Sequence, residues 1–510
     1  MWNLGGFAVQ AIVVFFLTPY VLHNLGDIRY GLWILAVSVT GHYGLLSFGI
    51  RGGLAQYLTR YLSSRDYQRM NDAASTALVI LSLVGLAVVG VATTIALTLP
   101  KWVKIPAGLT DDIVWSLLII GVAAGLQMPF HVYEAVYPAA QRFDITNIVA
   151  IATRLVSAGF IFASISLGYG LIGLSLSIVI TDFLGHILRW KLAYRVIPEL
   201  KISLRFFNKS RRNEMMSYGA WSFVISIAAS IFIGSDAIVI SATMPIAAVA
   251  FYSLAAGLVD QLEGALRRID RVFFPLATAL DAEGESELLR EMYLTGSRMT
   301  LIAMTIVAIP TGLWAADFYR LWVGEKYVQG GEFTSVAVVF HILLAAMACR
   351  LLPVVGGQTL QAIRRVKPLA ILAIIEAAAN LVISIILVFH YGLIGVAVGT
   401  LISVVLFRTA AIPLLIGSEL GVSLRTYFAA CLYRPLLVSV ALGLLLVLFK
   451  TNISPAQSFF GLALNGIFAA LAGVAVAVVF GLRRDERQRY VFTPLRKVRV
   501  FLSDGAKGQD

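Results

Sequence analysis

The sequence predicts an all-α polytopic membrane protein. Of its 510 residues, 59% are hydrophobic and 13% are charged, and the mean hydropathy is +0.86. Soluble domains are roughly 45–50% apolar and about 25% charged. The apolar residues form long runs, and a run of about 18 or more predicts a transmembrane helix. This composition excludes a soluble enzyme.

Fourteen such runs follow one another, so the predicted fold has about 14 transmembrane helices. The first, Trp2–Leu22, has no A-x-A-like cleavage site, and we expect it to remain as a helix rather than be removed as a signal peptide. The next seven are Tyr30–Ile50, Ala73–Leu99, Ile113–Tyr137, Ile145–Leu167, Leu171–Leu188, Met215–Ile240 and Ile246–Leu266. The last six are Met299–Asp317, Phe333–Val355, Pro368–Phe389, Leu393–Gly417, Cys431–Phe449 and Gln457–Leu482.

Lysine and arginine are divided unequally between alternate loops. The chain has 40 of them against 28 acidic residues, which gives a net charge of +12. With fourteen spans, 31 basic residues fall in the loops of one side, 6 in those of the other, and Arg154, Arg350 and Arg408 lie within spans. Because basic loops favour the cytoplasm, both termini are predicted on the cytoplasmic side of the inner cell membrane. Such loops face anionic lipid, so the charge does not indicate a nucleic-acid partner.

An internal repeat divides the chain. The pentapeptide Tyr169–Gly173 recurs as Tyr391–Gly395, displaced by 222 residues, and the same offset relates Tyr30 to Tyr252. Six spans in each copy predict a parallel repeat with a cavity between two lobes. The predicted parts are an N-terminal lobe (1–195), a basic linker (196–214), a C-terminal lobe (215–417), two further helices (418–482) and a basic cytoplasmic tail (483–510).

Several segments resemble a known transporter family. Leu25–Trp33 (LGDIRYGLW) and Leu46–Leu54 (LSFGIRGGL) are similar to the opening helices of the polysaccharide flippases in the multidrug/oligosaccharidyl-lipid/polysaccharide (MOP) exporter superfamily. Tyr218–Trp221 through Asp236–Ile240 resembles the start of that family's second lobe. The resemblance implies transfer of a polyprenyl-pyrophosphate-linked glycan across the bilayer, with a polysaccharide polymerase or glycosyltransferases as partners. It also points to Asp236 as a gate or ion site.

Two charges of opposite sign lie deep within predicted spans. Arg154 is about nine residues into the fifth span, roughly 13 Å from its cytoplasmic end. The offset of 222 relates it to Glu376, and Asn380 lies one turn beyond Glu376. Since a charge in hydrocarbon costs at least about 2.5–3.5 kcal/mol, these groups should face protein or water. We expect Arg154 and Asn380 to bind substrate and Glu376 to be the counter-ion or proton acceptor; a fixed ion pair is the alternative.

Further carboxylates lie in the cytoplasmic halves of their helices. They are Glu134, Asp182 with His186 one turn away, and Asp260 with Glu263. Such a group would carry a coupling proton or help to hold Na⁺. The alternative for each is an interface or capping role. No other cofactor and no metal site is expected.

Arginines cluster where the second and eighth predicted spans reach the cytoplasm. A guanidinium binds phosphate oxygens in a bidentate way, so these residues would suit a pyrophosphate headgroup. The alternative is ordinary anchoring at the cytoplasmic face, and Arg350, near the inner end of its span, is expected to reach that face along its own stem. The cluster comprises Arg51, Arg60, Arg267, Arg268 and Arg271.

Other function classes fit the sequence less well. The longest outward connections, Pro100–Asp112 and Phe318–Glu332, are about 13–15 residues, too short for the outward domain of a membrane glycosyltransferase or polymerase. No G-x-x-x-x-G-K-[ST] motif for an ATP-driven pump occurs. A multidrug or small-solute antiporter remains open and would have an aromatic cavity with few arginines. The favoured prediction is a secondary transporter working by alternating access, not an enzyme.

Overall fold

The described part of the chain is helical. A computed structural model describes residues 2–43, 50–207, 234–270, 272–452 and 458–488. Within these ranges there are α-helices, short 3₁₀ turns and two π-helical segments, and no strand. This confirms the predicted all-α class.

The chain forms two compact units, Met1–Leu254 with Ala373–Gly399 and Ala255–Leu372 with Thr400–Asp510. The lobe boundaries at 195, 214 and 417 stay a prediction. The first unit contains α1 (Trp2–Gly41), α2 (Ile50–Ser63), α3 (Tyr67–Thr98), α4 (Thr110–Gln127), α5 (His131–Glu134), α6 (Val136–Ala139), α7 (Phe143–Ser166), α8 (Gly170–Val196), α9 (described over 234–243) and the start of α10 (Ala247–Asp270). The second contains the rest of α10, α11 (Phe273–Ala282), α12 (Ser286–Leu313), α13 (Ala315–Trp322), α14 (Lys326–Gln329), α15 (Val336–Leu351), α16 (Val354–Ala362), α18 (Ala411–Leu420), α19 (Leu424–Cys431), α20 (Tyr433–Thr451), α21 (Phe459–Val476) and α22 (Arg484–Arg487). Helix α17 (Val366–Ser403) has residues in both.

Ten helical stretches among the described residues are long and apolar enough to span a membrane. Two of them contain a break in the backbone, at Gly26 in α1 and at Gly392 in α17. Both glycines have positive φ, a conformation that residues with a Cβ adopt rarely. Most of the predicted seventh span, Met215–Ile240, lies outside the described residues. The multi-pass architecture is confirmed, and the total of fourteen stays a prediction.

The break at Gly392 turns α17 back on itself. The hydroxyl of Ser384 donates to the carbonyl of Val396 at 3.4 Å, so the segments before and after the break lie side by side. A Cβ on Gly395 would clash with the carbonyl of Leu387, and one on Gly399 would clash with Ser384. The G-x-x-x-G spacing therefore lets two helical segments approach closely, as such motifs do in membranes.

The predicted repeat is visible in the backbone. Two turns that each precede a helix use one residue with positive φ, Gln141 before α7 and Arg364 before α17. The helix break at Gly392 corresponds to Gly170 at the start of α8, with φ of 56° and 57°. These pairs are displaced by 223 and 222 residues, so the repeat includes a shift of one residue.

Ion pairs join the last helices of the second unit to its other elements. Arg298 of α12, with 1% of its side chain exposed, is paired with Glu486 of α22. Lys450 of α20 lies 3.0 Å from the carboxylate of Asp317 in α13, and Arg320 binds the other oxygen of the same carboxylate at 3.2 Å. The two helices added after the repeat are thus held by charges as well as by apolar packing.

Candidate functional site

Four charged or titratable side chains meet around one carboxylate in the first unit. Glu134 Oε2 lies 3.2 Å from His131 Nδ1, and Glu134 Oε1 lies 3.5 Å from His186 Nδ1 and 3.3 Å from Arg189 Nη1. All four side chains keep less than a fifth of their surface exposed. We call these residues the α5–α8 cluster.

Local helix geometry explains why this cluster forms. His131 and Glu134 lie three residues apart on the single turn of α5, which follows the 3₁₀ turn Met128–Phe130. On α8, Asp182, His186 and Arg189 are separated by four and three residues, so they share one face. Helix α5 packs on α8, which brings the two sets together.

Asp182 belongs to the surroundings of the cluster. It interacts electrostatically with Arg154 of α7, and with Arg189 and Glu134. Asp182 therefore interacts both with Glu134, another predicted coupling residue, and with the predicted substrate residue Arg154. Their roles stay predictions.

A second cluster lies within the second unit and joins α10 to α15. Glu263, 6% exposed, accepts a hydrogen bond of 2.6 Å from Arg267 Nε and lies 3.2 Å from Arg350 Nη2. Asp260 interacts electrostatically with Arg350 and Glu263. We call these four residues the α10–α15 cluster. The expectation that Arg350 extends along its stem to the cytoplasmic face is wrong, because its guanidinium is buried and paired with Glu263.

The equivalence of Arg154 and Glu376 is wrong by one residue. Helix α7 begins after Arg142 and α17 begins after Arg365, a displacement of 223. Counted from these helix starts, Arg154 corresponds to Ala377, and Glu376 corresponds to Thr153. One residue turns the side chain by about 100° around a helix, so the two charges are not related by the repeat. The alignment from Tyr169–Gly173 missed a shift that the loop before Gly170 introduces.

Glu376 and Asn380 lie on a buried face of α17. Their exposed fractions are 2% and 0%, and Ser384, one further turn along, is 1% exposed. The spacing of four residues lines up three polar groups on the buried side of one helix. The prediction that Glu376 and Asn380 share a face is confirmed, and their roles in coupling and substrate binding stay predictions.

Asp236 is held by a neighbouring helix. Its carboxylate accepts a hydrogen bond of 2.6 Å from the hydroxyl of Tyr252, which is 3% exposed. Tyr30, the residue related to Tyr252 by the repeat, is also buried, and its hydroxyl is hydrogen-bonded to Ser253. The pair fixes α9 to the start of α10, which favours a structural role for Tyr252 at the predicted ion site.

The predicted arginine cluster divides into three groups. Arg60 of α2 is exposed and Arg268 of α10 is half-buried, whereas Arg267 is bonded to Glu263. The side chain of Arg51 and the whole of Arg271 lie outside the described residues. The role of these arginines in binding a phosphate stays a prediction, and Arg267 would have to leave the carboxylate of Glu263 to take part in it.

Neither cluster is arranged as a metal site. Among the described residues, no group of three His, Cys, Asp or Glu side chains could hold a metal ion. The carboxylates of Glu134 and Glu263 are each bound by cationic or imidazole nitrogens, which compete with a bound cation. Such an arrangement can exchange ion-pair partners or protons.

Sequence reasoning missed His131, Arg189 and Ser384. Each was within reach of a simple spacing rule, since His131 is three residues before Glu134, and Arg189 is three residues after His186. Ser384 continues the four-residue spacing of Glu376 and Asn380. The pairing of Arg350 with Glu263 had no such signal because it joins distant parts of the chain.

Comparison with protein-family models gives one match. The family described as "Polysaccharide biosynthesis protein" matches residues 1–280. A putative O-antigen transporter of Shigella flexneri is 23% identical over 411 residues, which is 80% of this chain and 94% of the relative. The family match covers residues 1–254 of the first unit and residues 255–280 of the second.

Solved structures share the fold. The lipid II flippase MurJ in an inward closed conformation superposes with a TM-score of 0.68 at 15% identity, covering 91% of this chain and 98% of that one. An inward-facing multidrug resistance MATE transporter of the MOP superfamily gives 0.67 at 15% identity, covering 80% and 95%. The chain therefore has the same fold as these two proteins, which are a transporter and a flippase.

Proposed function

Because the chain belongs to the polysaccharide biosynthesis protein family, we propose that it is a secondary transporter that moves a lipid-linked oligosaccharide from the cytoplasmic to the outer leaflet by alternating access. The family membership confirms the resemblance in the sequence. The observation that carries the proposal is the match to the O-antigen transporter, which extends over 94% of that relative. We place the protein in the inner cell membrane with both termini in the cytoplasm, beside a polymerase or glycosyltransferases.

Arginines support the choice of a phosphate-linked substrate. Arg60 lies exposed in the last turn of α2, Arg268 lies half-buried in the last turn of α10, and Arg154 lies exposed on α7 among apolar neighbours. A guanidinium forms parallel hydrogen bonds to phosphate oxygens, and the pyrophosphate of a lipid carrier offers several such oxygens. A cavity that selects hydrophobic drugs gains nothing from these charges.

Multidrug or small-solute antiport is the second candidate, and one observation favours it. The MATE transporter shares the fold over 95% of its length. An antiporter would extrude cationic dyes from cells, and it would leave a lipid-linked oligosaccharide in the leaflet where it was made.

Reconstitution into vesicles tests the proposal. A lipid-linked oligosaccharide is placed in one leaflet, and its appearance in the other is measured with and without the protein, under imposed pH or Na⁺ gradients. We expect protein-dependent transfer that a gradient accelerates. Dye extrusion without lipid transfer would instead establish the antiporter.

Variants connect this activity to the site. We expect Arg154→Ala and Glu376→Gln each to abolish surface display of the glycan in cells while protein abundance stays unchanged, because both remove an intramembrane charge. The matched control is Arg290→Ala, since among the described residues its ion pair, at 3.8 Å, is with Glu287, whose side chain is 86% exposed. Normal display in both test variants would remove Arg154 and Glu376 from the site.

A further inference from the structure

We propose that the α5–α8 cluster is the proton-binding site of this transporter, with His131 and His186 sharing one exchangeable proton beside the fixed anion Glu134. The proposal rests on the proposed ion-coupled function and deepens it, since it names the proton as the ion and two histidines as its carriers. Arg189 also joins α8 to α5 through its ion pair with Glu134. Replacing either histidine therefore leaves this contact between the two helices in place.

The arrangement of charges assigns the proton to the rings. Arg189 lies 3.3 Å from Oε1 of Glu134 and favours the ionised carboxylate. Histidine is the side chain that ordinarily changes charge near neutral pH, and each ring presents Nδ1 to one oxygen of this carboxylate. The anion therefore stabilises an imidazolium on either side of it.

The spacing of the rings sets the number of protons. The centroids of His131 and His186 are 5.9 Å apart, with an interplanar angle of 80°. Two imidazolium cations at this distance repel each other, and a single carboxylate already shared with Arg189 cannot neutralise both. The two rings are therefore assigned one proton between them.

The path of that proton follows from the exposure of the rings. Nδ1 of His131 is hydrogen-bonded to Glu134 at 3.2 Å, and Nδ1 of His186 lies 3.5 Å from the same carboxylate. In a ring that carries its hydrogen on Nδ1, the incoming proton binds Nε2, makes the ring an imidazolium and later leaves from the same nitrogen. The side chain of His131 is 18% exposed and that of His186 is 8% exposed. We therefore assign His131, the more exposed ring, as the first to take up the proton, and His186, whose ring centroid lies 5.6 Å from that of Phe130, as the inner carrier.

Other charged groups surround the pair. On α8, Asp182 interacts electrostatically with Arg154 of α7, and with Arg189 and Glu134. The hydroxyl of Tyr137 donates to the backbone carbonyl of Arg189, and Tyr133 packs against Tyr194 with ring centroids 5.9 Å apart. The ionisable residues of the other long helices that pack on α5 are Arg51, Tyr57, Arg60 and Tyr61 on α2 and Tyr67, Arg69 and Asp72 on α3.

Binding of the proton therefore changes a balanced set of charges. With both rings neutral, Glu134 and Asp182 offset Arg154 and Arg189. With one imidazolium, these groups together carry one net positive charge. They include Arg154, the residue proposed to bind substrate phosphate. Protonation would thus strengthen the field that attracts an anionic headgroup, which couples the proton to the substrate.

Histidine NMR of the full-length protein in nanodiscs tests the site directly. The chain has 6 histidines, and single His→Gln variants assign their signals. Between about pH 5 and 8, we expect the signals of His131 and His186 to change in one coupled transition that Glu134→Gln shifts or abolishes. We expect Glu134→Gln to leave the signal of His390, which lies on α17, unchanged. Independent titration of His131 and His186, or no titration of either, would overturn the proposal.

Vesicle transport with a pH gradient provides the second measurement. We expect His186→Gln to lose the acceleration by the pH gradient, while His390→Gln keeps it. Gradient-dependent transport that persists in His131→Gln and His186→Gln would reject the site while leaving the proposed function intact. A coupled histidine transition without any lipid transfer would support the site and reject the proposed function.

Discussion

At the scale of single residues, the ionisable groups inside the helices are not isolated charges. Glu263 lies between two guanidinium groups, and Glu134 lies between a guanidinium and two imidazole rings. The desolvation free energy of two buried charges exceeds the attraction in an ion pair of poor geometry. Buried pairs are therefore stable only where further hydrogen bonds satisfy both partners. Glu134 is hydrogen-bonded to His131 and Arg189, and Glu263 is hydrogen-bonded to Arg267 and lies 3.2 Å from Arg350.

Removing the carboxylate of Glu263 is expected to destabilise the second unit. Glu263→Gln leaves the guanidinium of Arg350, 10% exposed, without its closest anion, and an uncompensated buried charge costs roughly 3–5 kcal/mol. Asp260 still interacts with Arg350, so we expect the lower end of that range. Thermal unfolding of the detergent-solubilised protein measures the change.

Two comparisons separate this effect from general loss of charge. Glu287→Gln removes a carboxylate whose side chain is 86% exposed, and we expect a change of no more than about 1 kcal/mol. The double variant Glu263→Gln with Arg350→Gln removes both charges, and it should recover much of the lost stability. An unfolding temperature in Glu263→Gln equal to that of Glu287→Gln would show that the pair contributes nothing.

The sequence indicated some of these residues and missed others for physical reasons. Glu134, Asp182 and Glu263 stand out because a carboxylate in an apolar run is costly and needs an explanation. Arg350 was visible too, but its partner lies on a helix far away in the chain, and no spacing rule connects them. The prediction that Arg154 and Glu376 are equivalent was wrong for a different reason. One extra residue in a loop shifts the alignment of the two copies, so that aligned residues lie on different faces of their helices.

At the scale of elements, helix breaks determine how long apolar runs are divided. The run from Val366 to Leu420 is 55 residues long, about twice what a bilayer needs, and Gly392 is the point at which its backbone leaves the helical conformation. Gly170 has the same positive φ at the start of α8. The identical pentapeptides Tyr169–Gly173 and Tyr391–Gly395 therefore share a glycine with the same positive φ at the same position.

A Cβ at the crossing of the two α17 segments is expected to separate them. Gly395→Ala would place a methyl group against the carbonyl group of Leu387, and a backbone atom cannot move aside as a flexible side chain can. Overpacking of this kind costs about 1–3 kcal/mol or more. We expect a lower unfolding temperature and reduced abundance in the membrane.

Gly443 in α20 provides the matched control, because nothing lies within 4 Å of a Cβ built there. Gly443→Ala should leave stability unchanged or raise it, since alanine favours a helix over glycine by up to about 1 kcal/mol. Equal unfolding temperatures in Gly395→Ala and Gly443→Ala would contradict the close contact at Gly395.

At the scale of the whole molecule, composition predicts the fold class and charge distribution predicts the orientation in the membrane, which local sequence patterns do not. The long apolar runs predicted a helical, multi-pass protein. Backbone N–H and C=O groups must be hydrogen-bonded within lipid, and a helix satisfies them within each run. The repeat was detected from an identical pentapeptide. The turns at Gln141 and Arg364 show that the offset before it is 223 rather than 222 residues. Loop charge distinguishes the two sides of the membrane, which helix packing alone does not.

The division of basic residues predicts the orientation of the chain. If 31 of them lie in cytoplasmic loops and 6 in outward loops, then Lys104 is outside the cell and Arg205 is inside. Both side chains are exposed, so a cysteine at either position is accessible to reagents. In a background with Cys349→Ala and Cys431→Ala, a membrane-impermeant maleimide should label Lys104→Cys in intact cells, and it should label Arg205→Cys only after the membrane is opened. Labelling of Arg205→Cys in intact cells would reverse the orientation, and the proposed path of the substrate from the cytoplasmic leaflet would then fail with it.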